Sequence, residues 1–359
     1  MRREFLNKKR DFCRKKNNQG GICHMARTTV YNEDLSKEWQ ITNPKNQKLL
    51  KEFIRYCVAN DKSPQTCNQY ESQLKIFFCW NYRENDDKFF VDIKKRELVN
   101  FFGWGRSIGW SPCRLASLRA ALSSFSNYIE RILDEDYPTF RNLVKVLEKI
   151  HLEAVREKTI IEKDDIMAGI ERLVALGEYQ YACFLSLLFS SGMRKAEAAQ
   201  MKVSYFTTDK VIVFRGLAYM TPKIRTKGHG ARGKQVPRYV FKETFDKYFE
   251  LWLKEREKLG IEIDDLFVIK GTDGKYRPAK GQNFSHWAVK IGELIGVNSL
   301  YCHSLRHAFT TYLKRQNFPT DVVQKIQSWG SADMVARYDD RSDSEELDSF
   351  FEKMTEKEN

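Results

Sequence analysis

Apolar positions along the first part of this chain recur at helical spacing. Leu49, Leu50, Phe53, Ile54 and Cys57 fall on one face of a helix predicted to end near Asn60-Asp61. Ser63-Pro64-Gln65-Thr66 reads as a cap with proline in the first turn, and the helix behind it carries Tyr70, Leu74, Phe77, Phe78 and Trp80. A third helix is predicted from near Lys95. A fourth runs from Pro112 through Leu115, Leu118, Ala121, Leu122, Phe125 and Ile129, and a short piece from Tyr137 to Ile150 completes a four- or five-helix bundle. Residues 151–163 are charged and aperiodic, as in a linker. Beyond them one helix is predicted from Lys163 to Leu176 and a buried one from Tyr179 to Phe189. Between Lys210 and Phe241 the period changes to two: Val211 to Phe214 reads as a strand and Gln235 to Phe241 as a returning strand, around a glycine-rich basic stretch from Lys223 to Lys234. Residues 242–300 read as scaffold, with helices around Tyr248 and Trp287 and a strand at Leu266 to Ile269.

The pattern sharpens after Tyr301. Leu305, Ala308, Phe309, Tyr312 and Leu313 give a helix its buried side, and His303 and Arg306, three apart, share one face where they can grip one small anion. Pro319 stops that helix and Asp321 to Ile326 starts another; Trp329 and Tyr338 follow. A His, an Arg, a Trp and a Tyr on adjacent short elements describe a phosphate site with a phenol beside it. The plainer reading, a surface His–Arg pair and an ordinary tyrosine, holds for any one of them alone. Their joint order is much harder to reach by accident.

Charge narrows the partner. Formal net charge is +13 over 359 residues, with pI near 9.2, which favours a polyanion. The longest apolar run, Tyr181 to Phe189, is too short to span a bilayer, and no signal peptide is evident, so no membrane role is expected and the cytoplasm is the expected location. Eight cysteines are scattered without metal-ligand spacing; Cys13, Cys23 and His24 lack a fourth ligand nearby. Residues 1–25 hold eight Lys or Arg and two acidic residues, a basic tail suited to touching phosphates without reading sequence. Met25 offers a second starting point that would leave this tail as upstream sequence. Residues 339–359 hold nine acidic and three basic side chains, yet Leu347, Phe350, Phe351 and Met354 form one apolar stripe, fit to fold back or to dock on a neighbour.

The ordered set His303-x-x-Arg306, Trp329 and, nine positions on, Tyr338 resembles the C-terminal signature of the tyrosine recombinase (phage integrase) family. Ser190-Ser191-Gly192-Met193-Arg194-Lys195-Ala196-Glu197 resembles that family's first arginine box, with Glu197 placed to orient Arg194; a surface ion pair is the plainer reading. The run from Ser63 to Phe77 is similar to its core-binding domain. Lys227-Gly228 ahead of Val236-Pro237 matches the hairpin that carries its catalytic lysine, although this loop is about two residues longer than usual, which keeps Lys223 and Lys234 open as alternatives. His307 stands as the runner-up to His303. Two further departures are Trp329 where histidine is commoner and Ser328 where glycine is usual.

The resemblance implies a mainly α fold with a small β-sheet: a helical, SAM-like core-binding domain at 46–150 and an α+β catalytic domain at 164–342. The tail at 1–45 would be basic and flexible, the linker would span 151–163, and 343–359 would form a C-terminal helix. It implies a site-specific DNA recombinase that integrates or excises a phage or other mobile element. Arg194 and Arg306 would hold the phosphate, His303 would take the proton of Tyr338, Trp329 would donate its indole N–H, and Lys227 would protonate the leaving 5′-oxygen. The product would be a 3′-phosphotyrosine link, with no metal or nucleotide cofactor. Partners implied are duplex DNA and three further copies in a homotetramer, the tail docking on a neighbour, with room for accessory DNA-bending factors. Lys95, Arg114, Arg119, Arg225, Arg232 and Lys234 are the candidate DNA contacts, against the reading of a solvated basic face. A type IB topoisomerase-like enzyme or a transposase would share the chemistry, and an inactive DNA-binding protein would share the fold.

Overall fold

The structure, a computed structural model, describes residues 33–151, 160–208, 211–228, 230 and 233–348. The basic stretch 1–32 with Cys13, Cys23 and His24, most of the linker, Arg232, and the tail residues Phe350, Phe351 and Met354 lie outside the described residues. The chain divides into two compact units, with the boundary between Glu153 and Ala154.

Unit 1 is a helical bundle of α1 (Glu33–Trp39), α2 (Pro44–Ala59), α3 (Pro64–Glu84), α4 (Lys95–Ser107) and α5 (Pro112–Ile132). Ser63 caps α3 by accepting a hydrogen bond from the Thr66 N–H at 3.2 Å, and Pro64 opens the first turn, where its missing N–H costs nothing. Phenylalanines fill the centre: Phe77 meets Phe101 edge-on at 5.0 Å and Phe90 meets Phe125 at 4.7 Å. A polar bolt crosses this core. Asn46, without exposed surface, accepts from the Phe90 N–H at 2.9 Å and donates to the Lys88 carbonyl at 2.9 Å. The expectation of a flexible tail to residue 45 does not hold for its last part, because α1 buries Trp39 against Phe78, ring centres 5.7 Å apart.

Unit 2 is built on α7 (Tyr179–Ser191), buried along almost its whole length. α6 (Lys163–Ala175), α9 (Asp246–Lys258) and α11 (Cys302–Arg315) pack against it. Ile161, at the end of the expected linker, belongs to this core. The unit is completed by α10 (Gly281–Ile295) and by three shorter helices, α8 (Lys195–Ala198), α12 (Thr320–Gln327) and α13 (Asp333–Tyr338). Residues 343–348 are helical, with Leu347 exposed.

The strands differ from expectation. β1 (Ile212–Val213), β2 (Ala218–Met220) and β5 (Tyr239–Phe241) form one antiparallel sheet with β2 in the middle, Tyr219 opposite both Ile212 and Val240. β3 (Ile224–Thr226) and β4 (Lys234–Val236) form a separate hairpin, with Thr226 opposite Lys234. The single returning strand predicted from Gln235 to Phe241 is therefore two strands in two sheets. Pro237 divides them, since it has no N–H to offer either ladder. β6 (Val268–Lys270) pairs with β7 (Tyr276–Pro278). No helix among the described residues is long and apolar enough to cross a membrane.

Candidate active site

The site begins where α7 stops. Gly192 ends that helix in the left-handed region, φ +57°, and the chain turns so that Arg194 opens α8. Arg194 donates its backbone N–H to Glu197 Oε2 at 2.8 Å and its guanidinium to Glu197 Oε1 at 3.0 Å and to Thr226 Oγ1 at 3.2 Å. Glu197 is 1% exposed and also receives the Thr226 hydroxyl. Burial pushes its carboxyl up, but Arg238, Thr226 and Arg194 together outweigh that and hold it below the ordinary carboxylate value.

α11 supplies His303 and Arg306. Arg306 has no exposed surface; it donates to the Gly192 carbonyl at 2.5 Å and the Gln327 carbonyl at 3.2 Å. Its guanidinium carbon lies 4.8 Å from the centre of the Trp329 ring and 5.7 Å from that of Tyr338. Burial, reinforced by Arg194 and Arg238, pushes Arg306 down to about 9, so it remains a cation at neutral pH. Arg306 Nε and Trp329 Nε1 are among the buried donors of this cluster that have no hydrogen-bond partner among the described residues.

Tyr338, 7% exposed, sits at the end of α13 with its hydroxyl 2.5 Å from His303 Nε2. Its ring lies between Trp329, centres 4.9 Å apart, and His307, 4.5 Å. His307 faces Asp340 through Nδ1 at 3.2 Å, and the Asp340 N–H is held by Thr311 Oγ1 at 2.9 Å, which fixes the chain just past Tyr338. Burial, then the positive field of Arg306, holds the His303 imidazole down to about 4. It is therefore neutral near pH 7, with one bare ring nitrogen free to accept a proton. The arrangement can cradle an anionic oxygen between two guanidiniums and an indole while a base stands ready beside a phenol.

Arg194, His303, Arg306, Trp329 and Tyr338 thus come together. Lys227 follows Thr226 directly, so it leaves β3 one residue from the Glu197 contact, with its side chain exposed. Lys234 lies across the hairpin and lines a cavity of about 370 Å³ with Gln324, Lys325, Ser328 and Trp329. Lys223 is exposed ahead of β3. Ser328 adopts φ +55°, which gives the physical reason why glycine suits that position.

Among the candidate DNA contacts, Lys95 is exposed in the first turn of α4. Arg114 is half-buried, its guanidinium carbon 6.0 Å from the Trp110 ring centre. Arg119, half-buried, donates one guanidinium nitrogen to the Val144 and Leu147 carbonyls at 3.1 and 2.9 Å, a brace within unit 1. Arg225 is exposed, with its backbone bonded on both sides to Gln200. Sequence reasoning missed Thr226, Gln327 and Arg238. Thr226 stood beside the lysine in the motif, and Arg238 was a charged residue in an apolar strand pattern directly after Pro237.

Comparison with known proteins agrees with this geometry. The family model described as "Phage integrase family" matches residues 161–345. The SPbeta prophage-derived recombinase-like protein YomM of Bacillus subtilis (strain 168) is 30% identical over 234 residues, covering 64% of this chain and 67% of that protein. Tyrosine recombinase XerA of Pyrococcus horikoshii is 24% identical over 286 residues, 78% of this chain and 85% of its own. Among solved structures, the Tn1549 transposon integrase in complex with transposon right end DNA aligns with a TM-score of 0.63 at 13% identity, over 87% of this chain and 99% of that one. A lambda integrase dimer bound to a COC′ core site aligns at 0.59 and 16% identity, over 82% and 95%. At those identities the structures establish a shared fold.

Gly192 is the residue on which the cluster turns. A Cβ there would stand 2.6 Å from the Phe309 ring and collide with the Gln327 amide, in a backbone conformation that side chains avoid. Gly192→Ala is expected to cost about 2–3 kcal/mol, read as a fall in the thermal unfolding midpoint. An unchanged midpoint would mean that the turn relaxes without moving Arg306.

Proposed function

This chain belongs to the phage integrase family and is a tyrosine-type site-specific DNA recombinase, and from that premise we propose that Tyr338 is its nucleophile, with Arg194, Lys227, His303, Arg306 and Trp329 completing the reacting centre. The observation that carries this reading is the 2.5 Å contact between the Tyr338 hydroxyl and His303 Nε2, directly above the buried Arg306. A phosphodiester already carries negative charge, so attack on it must be met by cations. Arg194 and Arg306 hold the non-bridging oxygens as a fifth oxygen bonds to phosphorus. The phenolic oxygen forms that bond while His303 takes its proton. Lys227 delivers a proton to the departing 5′-oxygen as the P–O5′ bond breaks; Lys223 and Lys234 are the other lysines of the hairpin able to take this part. The 3′-phosphotyrosine link keeps the energy of the broken bond, so a 5′-hydroxyl from another strand reverses the step. Trp329 adds an indole N–H donor to the same oxygens.

The substrate we assign is duplex DNA of a mobile element, in keeping with the prophage origin named for YomM and the transposon origin of the Tn1549 integrase. Residues 46–150 serve as the DNA-gripping domain and 164–342 as the catalytic one. The working assembly is a homotetramer on two paired sites, acting in the cytoplasm, with the segment after Asp348 docked on a neighbouring copy.

Three measurements test this reading. Nicked duplexes of randomised sequence, incubated with the protein and selected for covalent capture, are expected to yield a denaturation-resistant adduct with the wild type and none with Tyr338→Phe. An adduct with both proteins would remove Tyr338 as nucleophile. On a captured duplex, single-turnover cleavage should stay level as pH falls through 6.5, the ordinary histidine value, and drop only towards about 4, where His303 takes a proton. The same shift bears on stability: between those two values the unfolded chain binds a proton that the folded chain refuses, so the fold weakens as pH falls. An acid limb centred at the ordinary value would argue against His303 as the base. Truncation after Asp348 leaves the Arg315–Glu345 pair in place and should spare single-site cleavage while abolishing exchange between two sites. Full exchange by the truncated chain would remove the docking role of the tail.

A further inference from the structure

Glu197 holds more than Arg194. On its other side, within 2.8 Å of Oε2, is the guanidinium of Arg238, and each side chain is 1% exposed. The angle at that nitrogen departs from a straight hydrogen bond, so the contact is mainly Coulombic. The other end of the same guanidinium donates to the Gln327 carbonyl at 2.9 Å. That carbonyl is also one of the two that hold Arg306. Arg238 therefore touches the support of Arg194 with one nitrogen and the support of Arg306 with another.

Its own backbone is fixed on both sides. The Arg238 N–H donates to Thr221 Oγ1 at 3.0 Å, and the Thr221 N–H donates to the Arg238 carbonyl at 2.9 Å. We infer that Arg238 is the positioning residue of this centre: it sets the two phosphate-gripping arginines at a fixed separation through Glu197 and the Gln327 carbonyl, without reaching the DNA itself.

Two arguments favour this over simple structural filling. A buried ion pair is a poor means of stabilisation, because apolar residues of similar volume do as well or better. Charge also matters. With Glu197 paired to Arg194 alone, the carboxylate would cancel the cation that must face the phosphate. The second guanidinium shares that carboxylate. Three guanidiniums against one carboxylate then leave two positive charges in the cluster, matched to an oxyanion that gains charge as it reacts.

The inference rests on the recombinase reading, and one experiment separates the two. Single-turnover cleavage is measured on a captured duplex and on the same duplex with a methylphosphonate at the scissile position, which removes one negative oxygen. Arg238→Met is expected to slow cleavage of the natural diester by about 10²–10³-fold, with DNA binding changed less than about threefold. On the methylphosphonate the loss should shrink below about tenfold, because misplaced arginines matter less when the phosphate is neutral. Should the Met variant fail to fold, Arg238→Lys keeps the charge yet cannot span Glu197 and Gln327 together. It is expected to lose about tenfold on the diester and less on the methylphosphonate. Equal losses on both substrates, or wild-type rates for either variant, would overturn the positioning role. No adduct from the wild type on any duplex would instead overturn the recombinase reading beneath it.

Discussion

A guanidinium with no exposed surface is costly unless its donors are met, and two backbone carbonyls of unit 2 receive both terminal nitrogens of Arg306. The two carbonyls that receive it, those of Gly192 and Gln327, lie at the C-terminal ends of α7 and α12. Helix C-termini carry unpaired carbonyls and the negative end of the macrodipole, so both helices offer a cation their favourable pole. The left-handed turn at Gly192 and the left-handed residue Ser328 are what release these carbonyls from their helices. The cation and the two helix endings are a single arrangement: remove the charge, and the endings have little reason to meet.

The remaining groups follow from this placement. Arg306 lies under Trp329 and Tyr338, so the aromatic pair packs on a charge rather than on aliphatic core. Burial, together with the field of Arg306, is what keeps His303 unprotonated beside the phenol. Glu197 and Arg238 complete the same electrostatic unit from the hairpin side, tying β3 through Thr226 to the start of α8.

Much of this was readable in the sequence, for physical reasons. Helix faces such as Leu49, Leu50, Phe53 and Cys57 repeat often enough for the period to show. His303 and Arg306 share a face because local geometry alone fixes a three-residue step. The strands were harder: Ala218–Met220 is too short to display alternation, and the break at Pro237 became decisive only once two different partners claimed the strands on either side. Arg119 and Arg238 read alike as basic residues, yet one braces backbone carbonyls and the other bridges two arms of the centre. The apolar strand pattern around Arg238 marks it as unusual, but its role is set by residues distant in the chain, as is that of Arg119.

The packing around Tyr338 also bears on what the centre avoids. The phenol is held between Trp329 and His307, 7% exposed, with its oxygen already against the only ring nitrogen it needs. Water competes with a nucleophile wherever it can occupy the same place beside the base. In the mechanism proposed above, the aromatic walls give that place to the phenol, so the base would activate a side chain in preference to solvent. Breaking a strand by transfer to protein, rather than losing it to hydrolysis, is what allows every cut to be undone.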